Sequence, residues 1–225
     1  MALKIAIVAS GSGTNAQAMF DRIKEGRLDA EVVLVVSNRP GARVLDRARA
    51  FGAPVAELDH KAFPDRETFD AALAETIAAS GAELVVLAGY MRMLTPAFLH
   101  AFAGRVINIH PAILPSFPGV HGGPDAQAWG VKITGCTVHF VDDKMDNGAV
   151  IVQAAVPANP GEDIDELMNR IHSFEHRIYP QAIQWFAEGR VRVQDRNVSI
   201  LPDAGRRQIV PDGHWLVWPP LEEGF

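Results

Sequence analysis

Runs of apolar residues alternate with amphipathic segments through the first half of the chain. Mainly apolar runs predict strands over 3–9, 31–37, 83–88 and 105–108, and 54–57 is predicted as a short strand. Apolar positions at helical spacing predict helices over 15–25, 42–51 and 65–80. Such alternation is typical of a parallel sheet with both faces covered. The pattern therefore predicts an α/β fold, a Rossmann-like open and mostly parallel sheet with helices on both faces.

The pattern changes in the second half of the chain. Residues 110–124 are rich in proline and glycine, which predicts irregular structure. Two strands are predicted over 133–141 and 149–156, joined by an acidic loop. A long helix is predicted over 163–188, interrupted near Pro180 because proline lacks the backbone N–H that a helix interior uses.

The last part of the chain has a different character. Residues 191–218 have the pattern of short strands and turns, including a turn at 211–213. No internal repeat or linker separates this part from the rest. We therefore predict one main domain, residues 1–190, and a short β-rich C-terminal extension, residues 191–225, that packs on it.

Composition narrows the range of partners. The 225 residues carry a formal net charge of -6, which gives no electrostatic case for binding nucleic acid or an anionic membrane. The single cysteine, Cys136, lies in an apolar run and is predicted to be a buried structural thiol, which fits a cytoplasmic protein. The apolar N-terminal run is short and is interrupted at Gly11, so it indicates a first strand and not a signal peptide or membrane span.

A polar pair follows the predicted strand 105–108. Side chains two apart on a strand point to the same side, so Asn108 and His110 should project together. An amide beside an imidazole suits a carbonyl that becomes an oxyanion. The same two residues could instead be an asparagine that caps a turn and a histidine packed under a loop. The pair alone does not decide between a catalytic and a structural role.

A glycine-rich turn joins the first strand to the first helix. Gly11 and Gly13 allow close backbone approach, and the helix that follows offers free N–H groups to an anion such as phosphate. With Ala16 the turn also fits the dinucleotide-binding pattern G-x-G-x-x-A. That pattern requires an acidic residue after the second strand, where this chain has Asn38 and Arg39. NAD is therefore disfavoured, whereas a contact from Arg39 to an NADP phosphate stays open.

Three further candidates each have an ordinary structural alternative. Asp146, in the acidic loop, could stabilise a protonated His110 or lie in a solvated turn. The segment from Met91 to Leu94 follows a parallel strand, where flat ligands bind, but could equally begin a helix. The segment 172–176 matches the zinc pattern H-x-x-E-H, although the α/β pattern favours an ordinary helix end, and we predict no metal.

At the level of combined motifs, the chain resembles the phosphoribosylglycinamide formyltransferases, folate-dependent enzymes of purine synthesis. The matching motifs occur in order over roughly residues 3 to 190: Gly11-Ser12-Gly13-Thr14-Asn15, Ser37-Asn38-Arg39, Leu87-Ala88-Gly89-Tyr90-Met91-Arg92, Asn108-Ile109-His110-Pro111, His139-Phe140-Val141, Met145-Asp146-Asn147-Gly148 and Glu175-His176-Arg177-Ile178-Tyr179-Pro180. The resemblance implies the formyltransferase fold and direct formyl transfer from 10-formyltetrahydrofolate to the amine of glycinamide ribonucleotide, both of them small molecules.

The resemblance also implies a role for each matching residue. The catalytic residues would be Asn108, His110 and Asp146. The ribonucleotide would be bound by Gly13, Thr14, Asn15, His172, Ser173, Phe174 and Glu175. The folate would be bound by Arg66, Met91, Arg92, Met93, Leu94, Asn108 and Asp142.

One segment departs from the family pattern. After His121 the chain reads Gly122-Gly123-Pro124, and the residues that follow are similar to those of formyltetrahydrofolate deformylases. Those enzymes hydrolyse the formyl group, carry an additional N-terminal regulatory domain and lack the glycine loop seen here. We therefore expect the transferase, with deformylase as the alternative and an NADP-binding oxidoreductase as a more remote one. Sequence leaves open whether the protein is a monomer or a homodimer.

Overall fold

The computed structural model describes residues 2–203, 205, 208–209 and 216–225. The chain divides into two compact units, residues 1–108 with 141–143 and residues 109–140 with 144–225. The predicted turn at 211–213 lies outside the described residues.

The first unit contains the strands and helices of the alternating half. Its strands are β1 Leu3–Ala9, β2 Ala30–Ser37, β3 Val55–Glu57, β4 Leu84–Leu87 and the start of β5 Val106–His110. Its helices are α1 Thr14–Lys24, α2 Arg43–Phe51, α3 Arg66–Ala79 and α4 Pro96–Ala101, with one turn of 3-10 helix at His60–Ala62. All five strands are parallel, in the order β5-β4-β1-β2-β3.

The strand order explains where a ligand could bind in this unit. The chain builds β2 and β3 on one side of β1 and then returns to build β4 and β5 on the other side. The switch point therefore lies between β1 and β4, and open α/β sheets bind ligands at the carboxyl ends of the strands at such a point. The two loops that leave these strand ends are joined there, since the Ser10 amide donates to the Gly89 carbonyl at 3.0 Å.

The second unit contains the remaining elements. They are α5 Gly122–Trp129, β6 Ile133–Phe140, β7 Val150–Pro157, α6 Ile164–Ala187, β8 Val191–Gln194, β9 Asn197–Ile200, β10 Gln208–Ile209, β11 Leu216–Trp218 and β12 Leu221–Glu222. The strand β7 pairs antiparallel with both β6 and β11, and two small antiparallel pairs, β8-β9 and β10-β12, complete the unit. With the parallel strands of the first unit, these pairings confirm the predicted α/β fold with a mostly parallel sheet.

Two predictions about the helices were wrong. The helix α6 runs through Pro180 without interruption for 24 residues. Proline removes one helix hydrogen bond, and the neighbouring Tyr179 and Ala182 are completely buried, so packing outweighs the local loss. The prediction of irregular structure up to 124 was also wrong at its end, because α5 begins at Gly122 and takes Pro124 into its first turn, where a proline N–H is not needed.

The described part of the C-terminal segment is tied to α6 by polar contacts. Arg190, three residues after the end of that helix, forms an ion pair with Glu222 at 2.7 Å. Gln181 accepts the Glu222 amide at 2.7 Å and donates to the Pro220 carbonyl at 3.3 Å. The division into residues 1–190 and 191–225 stays a prediction.

The single cysteine lies in the interior of β6, as a structural thiol should. Cys136 is completely buried, and this burial raises the pKa of its thiol well above the usual value. Its Sγ lies 4.0 Å from the Ile171 carbonyl oxygen of α6.

We expect the substitution Gly135→Ala to destabilise the protein strongly. A Cβ at this position of β6 would overlap the carbonyl oxygen of Ala154 on the paired strand β7 and would lie 3.1 Å from the Cα of Ala155. Because backbone atoms of a paired strand cannot move cheaply, the free energy of unfolding should fall by about 3 kcal/mol or more. Urea denaturation measures it, with Gly11→Ala as the control because an added Cβ there meets nothing within 4 Å. Equal stability of the two variants would contradict the prediction.

Candidate active site

The imidazole of His110 is held in one orientation at the end of β5. The residue is only 3% exposed, and its Nε2 lies 2.7 Å from the carbonyl oxygen of Phe117. A carbonyl oxygen only accepts hydrogen bonds, so Nε2 must carry a proton. The other ring nitrogen, Nδ1, is therefore the one that can gain or lose a proton.

The carboxylate of Asp146 faces that second nitrogen. Its Oδ2 lies 3.5 Å from Nδ1 of His110 and accepts the backbone N–H of Gly119 at 2.7 Å. Asp146 has a positive φ of 48°, and Phe117 has one of 54°. Non-glycine residues rarely adopt this backbone region, and such outliers cluster at functional sites. The structure thus brings two of the predicted catalytic residues together.

A second buried histidine faces the same carboxylate. Nε2 of His139 lies 3.7 Å from Oδ1 of Asp146, and its Nδ1 lies 2.7 Å from the Phe140 carbonyl oxygen, which fixes the proton on Nδ1. The motif His139-Phe140-Val141 contributed to the family resemblance, but the residue-level reasoning gave His139 no role. The sequence signal for such a role is a titratable side chain within an otherwise apolar strand.

Asn108 lies two residues before His110 on the same strand, as the alternation argument requires. It ends the first of the two segments that make up the first unit, and His110 belongs to the second unit. Asp142, the predicted folate contact in the acidic loop, belongs to the first unit and Asp146 to the second.

The glycine loop of the first unit has the features of an anion site. Gly13 is the N-cap of α1 with a φ of 73°, and an added Cβ would lie 2.6 Å from Cγ2 of Val44. The first turn of α1 contains no acidic residue, so its positive end and N–H groups favour an anion. Arg47 fixes the loop by donating to the Ser12 carbonyl at 2.8 Å.

The predicted folate segment, Met91 to Leu94, leaves the end of β4 beside this loop. The Met91 amide donates to Oγ of Ser10 at 3.0 Å, and the hydroxyl of Ser10 donates to Asn38 at 2.6 Å. Met91 and Met93 are 50% and 38% exposed, whereas Leu94 is buried. This leaves apolar side chains available to a flat ligand.

The polar side chains near this segment carry opposite charges. The guanidinium of Arg92 lies over the ring of Phe69, 5.2 Å from its centroid, and Arg66 begins α3. The carboxylate of Asp70 is buried and accepts the Thr95 amide at 2.6 Å. Burial raises the pKa of the Asp70 carboxyl, while the hydrogen bond from Thr95 and the charges of the two arginines act in the opposite direction.

The predicted ribonucleotide residues of the second unit lie on α6. Phe174 and Glu175 are buried, and Ser173 is exposed with its hydroxyl donating to the Arg170 carbonyl at 2.7 Å. The rings of His172 and His176 stack with centroids 6.3 Å apart. Across the described residues, no group of three or more His, Cys, Asp or Glu could hold a metal ion.

These features define a class of protein: an α/β protein with an acid–base pair at one strand end and an anion-binding loop at another. A family model described as "Formyl transferase" matches residues 3–183. The chain belongs to the formyl transferase family.

Individual proteins with high similarity to the chain include purine-biosynthetic formyltransferases. The chain is 42% identical over 193 residues to "Phosphoribosylglycinamide formyltransferase" of Escherichia coli K12, covering 86% of this chain and 91% of that protein. It is 44% identical to "Trifunctional purine biosynthetic protein adenosine-3" of Drosophila melanogaster, of whose length it covers only 14%. The solved structure of "glycinamide ribonucleotide transformylase 1" from Symbiobacterium toebii matches with a TM-score of 0.87 and 48% identity, covering 89% of this chain and 95% of that one.

No helix among the described residues is both long and apolar enough to cross a membrane.

Proposed function

We propose that this protein transfers the formyl group of 10-formyltetrahydrofolate to the amine of glycinamide ribonucleotide, giving formylglycinamide ribonucleotide and tetrahydrofolate in purine biosynthesis. The observation that carries the proposal is the arrangement of the His110 ring: its Nε2 is hydrogen-bonded to the Phe117 carbonyl, and its Nδ1 faces Asp146. Membership of the formyl transferase family supports it, as do relatives of matching length that bear this name.

The residues of the site suit a direct transfer. The substrate amine attacks the formyl carbon, so a new C–N bond forms, the C=O bond becomes an oxyanion, and no enzyme nucleophile is needed. Protonated His110 and the amide of Asn108 would stabilise the negative oxygen, and Asp146 would stabilise the imidazolium. When the tetrahedral intermediate collapses, the bond from carbon to the folate nitrogen breaks. A proton from the attacking amine must reach that nitrogen, and Nδ1 of His110, or a water, would carry it.

The ribonucleotide contacts are proposed for each unit separately. In the first unit, Gly13, Thr14 and Asn15 would bind the phosphate through the start of α1, which supplies N–H groups and the positive end of its dipole. In the second unit, the segment from His172 to Glu175 would bind the rest of the ribonucleotide. Glu175 would accept hydrogen bonds from ribose hydroxyls.

The folate contacts are also proposals. The exposed methionines of the Met91 to Leu94 segment would contact the flat pterin, and the cationic Arg66 and Arg92 would pair with carboxylates of the folate. Asn108 and Asp142 complete the proposed set. The folate acts here as a substrate, and the mechanism uses no metal.

An assay with 10-formyltetrahydrofolate, with and without glycinamide ribonucleotide, tests this function by following the folate product by absorbance. Product that forms only with the ribonucleotide supports the transferase. Product at the same rate without it means deformylase activity and overturns the proposal. Glycinamide riboside, which lacks the phosphate, should react with a much higher KM if the glycine loop binds phosphate.

A binding measurement addresses the NADP alternative. Asn38 occupies the place after β2 where a dinucleotide site has an acidic residue, and its side chain already binds Ser10. We therefore expect a fluorescence titration to show no sub-micromolar binding of NADPH, whereas such tight binding would favour an oxidoreductase.

We propose that the protein acts in the cytoplasm. It could be a monomer or a homodimer.

A further inference from the structure

The segment from His110 to Phe117 forms a closed arc around the imidazole. His110 is at one end and the carbonyl that binds its Nε2, at 2.7 Å, is at the other. Inside the arc, the Ser116 amide donates to the Ile113 carbonyl at 3.0 Å. Any shift of the middle of the arc must therefore move the histidine, its carbonyl acceptor, or both.

The middle of the arc is bound by one completely buried hydroxyl. Oγ1 of Thr137, on β6, donates to the Ala112 carbonyl at 2.7 Å and accepts the Leu114 amide at 3.1 Å. It also accepts a hydrogen bond from the side-chain amide of Gln153 at 3.1 Å. A hydroxyl has one proton and two lone pairs, so these three bonds use its full capacity.

Gln153 extends this contact across the strand pair. It is the cross-strand partner of Thr137 on β7, and the same Nε2 that reaches Thr137 donates to the Leu114 carbonyl at 2.9 Å. Both backbone polar groups of Leu114 and the carbonyl of Ala112 are thus satisfied by two side chains of a rigid strand pair. Neither side chain touches the His110 ring by a hydrogen bond.

We propose that Thr137 and Gln153 are positioning residues for His110: they fix the arc that carries the imidazole and its carbonyl acceptor. The inference rests on the proposed function for its kinetic consequence. A displacement of about 1 Å in a catalytic group can cost about 10²-fold in rate. Loss of the hydroxyl leaves the Ala112 carbonyl and the Leu114 amide without their partner in a buried site, and the arc must then move to satisfy them.

The chain offers a matched pair of substitutions. Thr137→Val keeps the shape and removes the hydroxyl, and it should lower kcat about 10- to 100-fold while the KM values for both substrates change little. Thr137→Ser keeps the hydroxyl and should restore most of the rate. The control is Thr134→Val on the same strand, because Thr134 is also buried but its Oγ1 has no hydrogen-bond partner within the described part of the chain. Gln153→Leu gives a second variant should Thr137→Val fail to fold.

A spectroscopic readout separates this inference from the proposed function. The ¹⁵N NMR signals of the His110 ring report the proton on Nε2 whether or not the protein transfers formyl groups. We expect those signals to move in Thr137→Val and Gln153→Leu and to stay unchanged in Thr134→Val. Wild-type ring signals and wild-type kcat in both folded test variants would overturn the inference. Absence of ribonucleotide-dependent transfer in the unmodified protein would overturn the proposed function alone.

Discussion

The substitution His110→Ala is expected to reduce kcat for formyl transfer by about 10³-fold or more in a folded protein. The ring supplies both the charge that stabilises the oxyanion and the nitrogen that moves the proton, and each effect is typically worth about 10²-fold or more. Nδ1 faces Asp146 and Nε2 is already bound, so the geometry leaves this work to Nδ1. Single-turnover kinetics at saturating substrates would measure the loss without a contribution from product release.

The control for this variant is His100→Ala, which removes an exposed imidazole at the end of α4. It should retain full activity. Because His110 is buried, circular dichroism and thermal melting must show that His110→Ala is folded at the assay temperature. Turnover within tenfold of the unmodified protein would remove His110 from the mechanism.

The substitution Asp146→Asn should lower kcat about 10²- to 10³-fold. An asparagine fits the same space and can still accept the Gly119 amide, but it has no charge to stabilise a protonated imidazole. The loss should appear in kcat, because the carboxylate acts on the imidazolium during the transfer. A normal rate in this variant would show that the charge of Asp146 is dispensable.

Asp143→Asn provides the matched control, since Asp143 is an exposed aspartate in the same loop of the sequence. It should leave kcat unchanged. An equal loss in the two variants would mean that the loop tolerates no amide, and the specific role of Asp146 would then be unsupported.

The parallel half of the fold could be predicted well from the sequence because its central strands are buried on both sides. β1 matches its predicted range of 3–9, and β4 is a continuous apolar run in which all four residues are buried. The helix α4 was not predicted, because it is only six residues long and its signal is a Thr95 cap followed by Pro96. Short helices give no clear period, so their caps carry most of the information.

The candidate site was predictable only in part. Strand alternation placed Asn108 and His110 on one side of β5, a local property of the chain. The approach of Asp146 to His110 depends on a pairing 36 residues apart in the chain, which the pattern could not supply. The acceptor of Nε2 is a backbone carbonyl at Phe117, and any residue type could have provided it.

The burial of Cys136 has a practical consequence for following the protein's unfolding. Thiol reagents attack the thiolate, and here the thiol is both inaccessible and held in its protonated form by a raised pKa. Alkylation therefore requires opening of β6, the strand that also carries Thr137. Since the chain has one thiol, the rate at which it is alkylated in native buffer measures the opening of β6, and no engineered probe is needed. Thiol labelling of Cys136 thus also measures how stably the strand that binds the arc around His110 stays folded.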